Sequence, residues 1–65
     1  MNIGARIKER RLYLDWTQAE LADKSGIHVT AICHFERNRR IPKIANLLKL
    51  SRTLQVTLEQ LCAEK

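Results

Sequence analysis

The sequence predicts an all-α fold, one domain over residues 1–65 made of five short helices. Three observations predict it. Apolar residues recur at helical spacing, as Ile3 with Ile7 and Leu14, or Ile44 with Leu47, Leu48 and Leu54, and no strand-period alternation, low-complexity tract or internal repeat competes. Thr17 stands three residues ahead of Glu20, and Thr57 three ahead of Gln60, each pair being the start signal of a helix. A chain of 65 residues supports a single core, near the lower limit at which a core holds without staples, and no second catalytic or sensing domain is expected within it.

In chain order, residues 3–14 form the first helix, with Ile3, Ile7 and Leu14 on its inner side and Arg6, Lys8, Glu9 and Arg10 largely elsewhere around it. Of Leu12 and Tyr13, one is expected to face outward. Asp15 ends this helix. The second helix covers residues 18–25. At its start the Thr17 hydroxyl takes a backbone N–H while the Glu20 carboxylate reaches back, and Trp16 and Leu21 sit at staple positions. Gly26 follows, where the chain must bend sharply and a residue without Cβ takes positive φ at little cost.

The third helix spans residues 29–37 and begins at His28, where Ser or Thr is the stronger cap, so a weak cap is expected. Ala22, one turn before Gly26, lets the third helix cross close over the second, and Leu21, Ile27, Ile32 and Phe35 supply the apolar contacts. The result is a helix-turn-helix. Residues 38–43 form a loop, in which Asn38 tolerates the left-handed cap conformation and Pro42 keeps the third helix from running on. The fourth helix, residues 44–54, carries Ile44, Leu47, Leu48, Leu50 and Leu54, too many for one stripe, and is expected to be buried on more than one side. The fifth runs from Leu58 to about Glu64, capped by Thr57 with Gln60, and stapled by Val56 to Leu61.

Twelve Lys and Arg against seven Asp and Glu leave a net charge of +5, which favours a polyanionic partner, nucleic acid before an acidic membrane surface. Apolar runs are only a few residues long and no basic, apolar, small-residue leader opens the chain, so it is expected to be neither secreted nor membrane-spanning. Cys33 and Cys62 lack the spacing of a zinc site and the density of a disulfide scaffold, and reduced thiols in a cytoplasm are the simplest reading. His28 and His34 are six residues apart, about 600 degrees around a helix, and share no face, which speaks against a metal site with Cys33. Cys33 and His34 are adjacent and point apart, which speaks against a nucleophile with its base. No Gly-rich phosphate loop, paired-carboxylate site or metal-binding helix motif occurs, so neither an enzyme nor a cofactor nor a small-molecule ligand is implied.

Arg11, the run Trp16, Thr17, Gln18, Ala19, Glu20, Leu21 and Ala22, then Gly26, Ile27, Ile32, Phe35, Glu36, Arg37 and Pro42 before a Leu-rich helix together resemble the lambda-repressor-like, Cro-type helix-turn-helix family over nearly the whole chain. Two positions depart from it: Asp15 where glycine is common, which implies an aspartate in a left-handed or turn conformation, and Lys43 where a small polar cap is common. The resemblance implies a third helix entering a DNA major groove, with His28, Val29, Thr30, Cys33 and His34 at its start and along its outer side as base-reading candidates. Thr30 can donate or accept, whereas Val29 offers only an apolar contact, of which a thymine methyl is the obvious partner. Cys33, beside Ile32, also reads as a small packing residue at the edge of that face, and His28 equally as a cap.

The resemblance further implies that Gln18 holds a phosphate oxygen and braces the third helix, and that Arg11 pairs with Glu36. Arg11 follows Ile7 by four residues and therefore points inward, although its guanidinium could also face a phosphate. Arg10, Arg37, Asn38, Arg39, Arg40 and Lys43 complete the phosphate-binding candidates, and no acid occurs between Arg37 and Lys49. The function so implied is a sequence-specific regulator of transcription on double-stranded DNA. One helix-turn-helix covers few base pairs, so a homodimer on a palindromic operator is expected, joined through Val56, Leu58, Leu61 and Cys62. A protein-interaction module of antitoxin or adapter type, gripping a partner with its last two helices, is the alternative, and charge-driven coating of DNA without sequence preference is a third.

Overall fold

The computed structural model describes residues 2–62. Five helices follow one another, α1 (Ile3–Tyr13), α2 (Gln18–Ser25), α3 (Val29–Glu36), α4 (Ile44–Leu54) and α5 (Leu58–Cys62), with no strand among the described residues. The expected continuation of the last helix to Glu64 lies outside the described residues.

Four of the five helices start where a side chain takes an orphan N–H; α4, which follows Lys43, has no side-chain cap. Asn2 Oδ1 accepts from the Ala5 N–H at 3.2 Å and opens α1, a cap the sequence reading did not assign. At α2 both halves of the capping box form: Glu20 N–H donates to Thr17 Oγ1 at 3.1 Å and Thr17 N–H to Glu20 Oε1 at 2.9 Å. The same reciprocal pair recurs at α5, Gln60 N–H to Thr57 Oγ1 at 3.0 Å and Thr57 N–H to Gln60 Oε1 at 3.0 Å. The turns between helices rest on four residues with left-handed backbone: Asp15 (φ 62°), Gly26 (φ 74°), Asn38 (φ 58°) and Gln55 (φ 60°). The first three stand where the sequence places them, whereas Gln55, which closes α4, carries no residue-type signal for that conformation.

Ile3, Ile7, Leu21, Ile27, Ile32, Phe35, Leu50, Leu54 and Leu61 form one core, with Leu14, Trp16, Ala22, Leu47 and Val56 packed on its edge. The two halves of the helix-turn-helix, α2 and α3, make the most extensive contact of any helix pair. Three expectations need correction. Leu12 and Tyr13 are both exposed, because Ile3, Ile7 and Arg11 set the inner line of α1 and the two residues after Arg11 swing past it. The third helix ends one residue sooner, at Glu36, with Arg37 as its cap. And α4 is buried on one side alone: Leu50 and Leu54 are fully enclosed, but Ile44 is 64% and Leu48 41% exposed, since α1, α2 and α5 all pack on the other side.

Candidate nucleic-acid interface

Helix α3 presents one continuous outward arc. At 100 degrees per residue Val29, Cys33, Arg37, Thr30 and His34 fall within about 140 degrees, and Ile32 and Phe35, both buried, point the opposite way. Val29 and Thr30 are exposed, Cys33 and His34 half-buried further along the same arc. His28 is exposed at the head of the helix, and its ring supplies the missing cap: the Thr30 N–H donates to Nδ1 at 3.2 Å. An accepting Nδ1 is unprotonated, so in the neutral ring the proton sits on Nε2, available as a donor. The five base-reading candidates thus share one edge of the molecule, and the capping role of His28 stands beside, not against, its place there.

The direction in which α3 presents that arc is fixed from behind by a buried ion pair. Arg11 Nε donates to Glu36 Oε2 at 2.7 Å and Arg11 Nη2 to Glu36 Oε1 at 3.0 Å, while Nη1 donates to the Trp16 carbonyl at 2.7 Å. The side chains are only 9% and 2% exposed. The hydrogen bonds to Glu36, opposed by burial and aided by its charge, hold Arg11 above its ordinary pKa. Gln18 Nε2 donates to the same Glu36 Oε1 at 3.1 Å, so the first turn of α2, the middle of α1 and the end of α3 meet at one carboxylate. Nε, Nη1 and Nη2 of Arg11 each donate one hydrogen bond at this junction, and the residue is buried. Gln18 is half-buried, and its amide makes this one hydrogen bond among the described residues.

Among the other cationic candidates, Arg37, Arg39, Arg40 and Lys43 are exposed and make no ion pair among the described residues. They line the end of α3 and the loop after it. Two expected clamps are engaged elsewhere. Arg10 Nε donates to the Leu54 carbonyl at 2.8 Å and its guanidinium lies 4.6 Å from the centre of the Tyr13 ring, tying α1 to the end of α4. Asn38 accepts the Gly4 N–H at 3.3 Å and donates to Asn2 Oδ1 at 2.9 Å, so its amide joins α1 to the end of α3. Gly4 itself is a residue that sequence reasoning missed. A Cβ built there would fall on the Phe35 carbonyl oxygen, and a glycine inside an amphipathic helix is the signal that could have announced so close an approach.

Of the residues of the expected dimer surface, Leu61 is 2% exposed in the core, Val56 and Cys62 are half-buried against it, and Leu58 is half-buried. Cys33 and Cys62 are unpaired, no group of His, Cys, Asp or Glu among the described residues could hold a metal ion, and no described helix is long and apolar enough to cross a membrane.

Comparison with known proteins gives the same picture. A family model described as helix-turn-helix matches residues 7–61. The cryptic phage CTXphi transcriptional repressor RstR of Vibrio cholerae serotype O1 is 32% identical over 62 residues, covering 95% of this chain and 55% of that protein. Among solved structures, the P22 c2 repressor protein in complex with a synthetic operator superposes with a TM-score of 0.91 at 35% identity, covering 100% of this chain and 98% of that one. The master regulator for biofilm formation SinR, in complex with DNA, gives a TM-score of 0.87 at 37% identity, covering 91% and 95%. The chain spans about half the length of the curated relatives it matches.

Proposed function

The chain belongs to the helix-turn-helix family, and from that premise we propose that it is a sequence-specific, double-stranded-DNA-binding regulator of transcription, working in the cytoplasm as a homodimer on a palindromic operator. The observation that carries this reading is the exposed arc of α3, flanked by the exposed Arg37, Arg39, Arg40 and Lys43 and locked in direction by the buried Arg11–Glu36 pair. A helix held rigidly from behind can present side chains to base edges in a major groove, while the loop bases neutralise phosphates and fix the register. A relative named as a transcriptional repressor and a neighbour solved on its operator support it. Palindromy follows from the small footprint of one recognition helix, which needs a two-fold mate for useful affinity.

Selection of binding sites from random duplex DNA tests the reading, followed by variants on the selected site and its single-base changes. Arg39→Ala or Arg40→Ala weakens every site about equally and lowers the salt slope by about one unit per lost phosphate contact. Thr30→Ala or His34→Ala changes the preferred base at one position, by roughly 1 to 3 kcal/mol. Val29→Asn exchanges a contact suited to a thymine methyl for an amide suited to adenine. Loss of affinity spread evenly over all sequences in Val29→Asn and Thr30→Ala would refute base reading from α3, and a selection that recovers no preferred sequence would refute the whole assignment.

A further inference from the structure

Two polar residues are buried among those described, Arg11 and Ser25, and they act at opposite ends of α3. Arg11 holds its close, through Glu36. Ser25, the last residue of α2, holds the approach to its head. The Ser25 hydroxyl donates to the Ala22 carbonyl at 3.4 Å and accepts the Ile27 N–H at 3.2 Å. Only Gly26, Ile27 and His28 separate α2 from α3, and the second of these bonds falls on the middle one. Before it, the Gly26 N–H donates to the same Ala22 carbonyl at 2.9 Å; after it, the Ile32 N–H donates to the His28 carbonyl at 3.2 Å. Ile27 is buried with its side chain in the core, so its N–H needs a partner from within the protein.

We propose that Ser25 is a positioning residue for base reading: its hydroxyl sets the path of the turn, and with it the place from which Val29 and Thr30 reach a base edge. The inference rests on the DNA-binding reading above and adds to it a buried residue that acts through the backbone alone. The hydroxyl is not needed to end α2, because the Gly26 N–H already closes that helix on the Ala22 carbonyl. What it adds lies beyond the glycine, toward α3. Gly26 has φ 74°, and no atom lies within 4 Å of the place where a Cβ would stand, so nothing packs against this link of the chain to steady it. The bond to the Ile27 N–H supplies that restraint. Val29 and Thr30 follow Ile27 by two and three residues, on the first turn of α3, whereas Cys33 and His34 lie a turn further on, near Glu36. A helix released at its head and still held at its close pivots about the held end, so the displacement is largest at Val29 and Thr30 and smallest at His34. Base reading tolerates little of it, since side chains must be held within about 0.5 Å of their working places.

The test compares Ser25→Ala, which removes the hydroxyl, with Ser25→Cys, which keeps a side chain of similar shape but bonds weakly. Both are assayed in the full chain, at a temperature where circular dichroism shows each protein folded. The probes are the duplex recovered by selection, its single-base changes, and a scrambled duplex of equal length. Ser25→Ala binds the selected duplex roughly tenfold more weakly, the scale of one base contact, and binds the scrambled duplex, held through phosphates, as wild type does. Discrimination falls at the base pairs that Val29→Asn and Thr30→Ala report and is kept at the pair that His34→Ala reports. Ser25→Cys shows the same pattern to a smaller depth. A loss shared equally by the selected and scrambled duplexes overturns the proposal, because the hydroxyl then serves stability alone. So does unchanged discrimination in Ser25→Ala, discrimination lost evenly along α3, or failure of both variants to fold. A wild type that prefers no duplex sequence, or Val29→Asn and Thr30→Ala variants that report no base pair, defeats the DNA-binding reading instead.

Discussion

Glu36→Ala should strongly destabilise this protein. The carboxylate accepts three hydrogen bonds, two from Arg11 and one from Gln18, with its side chain 2% exposed. Removing it leaves a guanidinium that is 9% exposed with the Trp16 carbonyl as its remaining partner. Breaking a buried pair from one side costs about 3–5 kcal/mol, because the remaining charge is uncompensated. A domain of 65 residues has about 3–10 kcal/mol to lose. Each kcal/mol moves the midpoint of so small a domain by about 4–8 °C, so a fall of more than about 12 °C is expected in a thermal melt followed by circular dichroism. The control is Arg11→Met with Glu36→Leu, which removes both charges and fills the space. It should recover most of the midpoint, since an apolar pair of similar volume is often no less stable than a buried ion pair. It should not recover DNA binding, because Gln18 loses its acceptor and α3 its brace. A Glu36→Ala melt within about 2 °C of wild type would refute the reasoning, since the pair would then contribute no more than an exposed one.

Three further outcomes follow from local geometry. Backbone and hydroxyl hydrogen bonds at Thr17 hold the Glu20 carboxyl below its ordinary 4.5. The stability it contributes is complete above that value and is lost as the pH falls through the lower folded value, so Glu20→Gln should melt with a shallower acid dependence than wild type in scans stepped downward from neutral pH. Gly4→Ala puts a methyl onto the Phe35 carbonyl, a backbone atom that cannot swing aside, and should cost about 1–3 kcal/mol in urea unfolding although alanine is the better helix former. His28→Ala removes the acceptor for the Thr30 N–H and should lower stability by about 0.5–2 kcal/mol, while His28→Ser restores a cap; equal midpoints for the two variants would show that the ring is not capping α3.

The helices themselves were legible because their signals are local. Thr17 with Glu20, Gly26 and Asn38 each act within a few residues, and the structure places a capping box and two left-handed turns at those positions. The Arg11–Glu36 pair, 25 residues apart, was legible only through likeness to a family, since nothing in the spacing brings the two together. The roles of Arg10 and Asn38 were not legible at all. Both are polar side chains near the expected interface, and what decides their use is a carbonyl or amide 44 and 34 residues away. The apolar excess of α4 was read correctly as too much for one stripe, but no element among the described residues lies on the second side. Periodicity counts the residues that want cover; it does not say which molecule supplies it.

The amide of Asn38 holds the first turn of α1 and the last turn of α3 in one clasp, through Gly4 and Asn2. Opening either end frees the other, so backbone amides in the two turns should exchange with solvent as one cooperative unit rather than fraying separately. Inheritance is constrained in the same way. A lineage that replaces Asn38 loses the reason for an asparagine at position 2, and one that gains a side chain at position 4 pushes the close of α3 outward. Positions 2, 4 and 38, separated by up to 36 residues, should therefore drift together across relatives of this chain, and a change in the second residue of the sequence is felt where α3 ends.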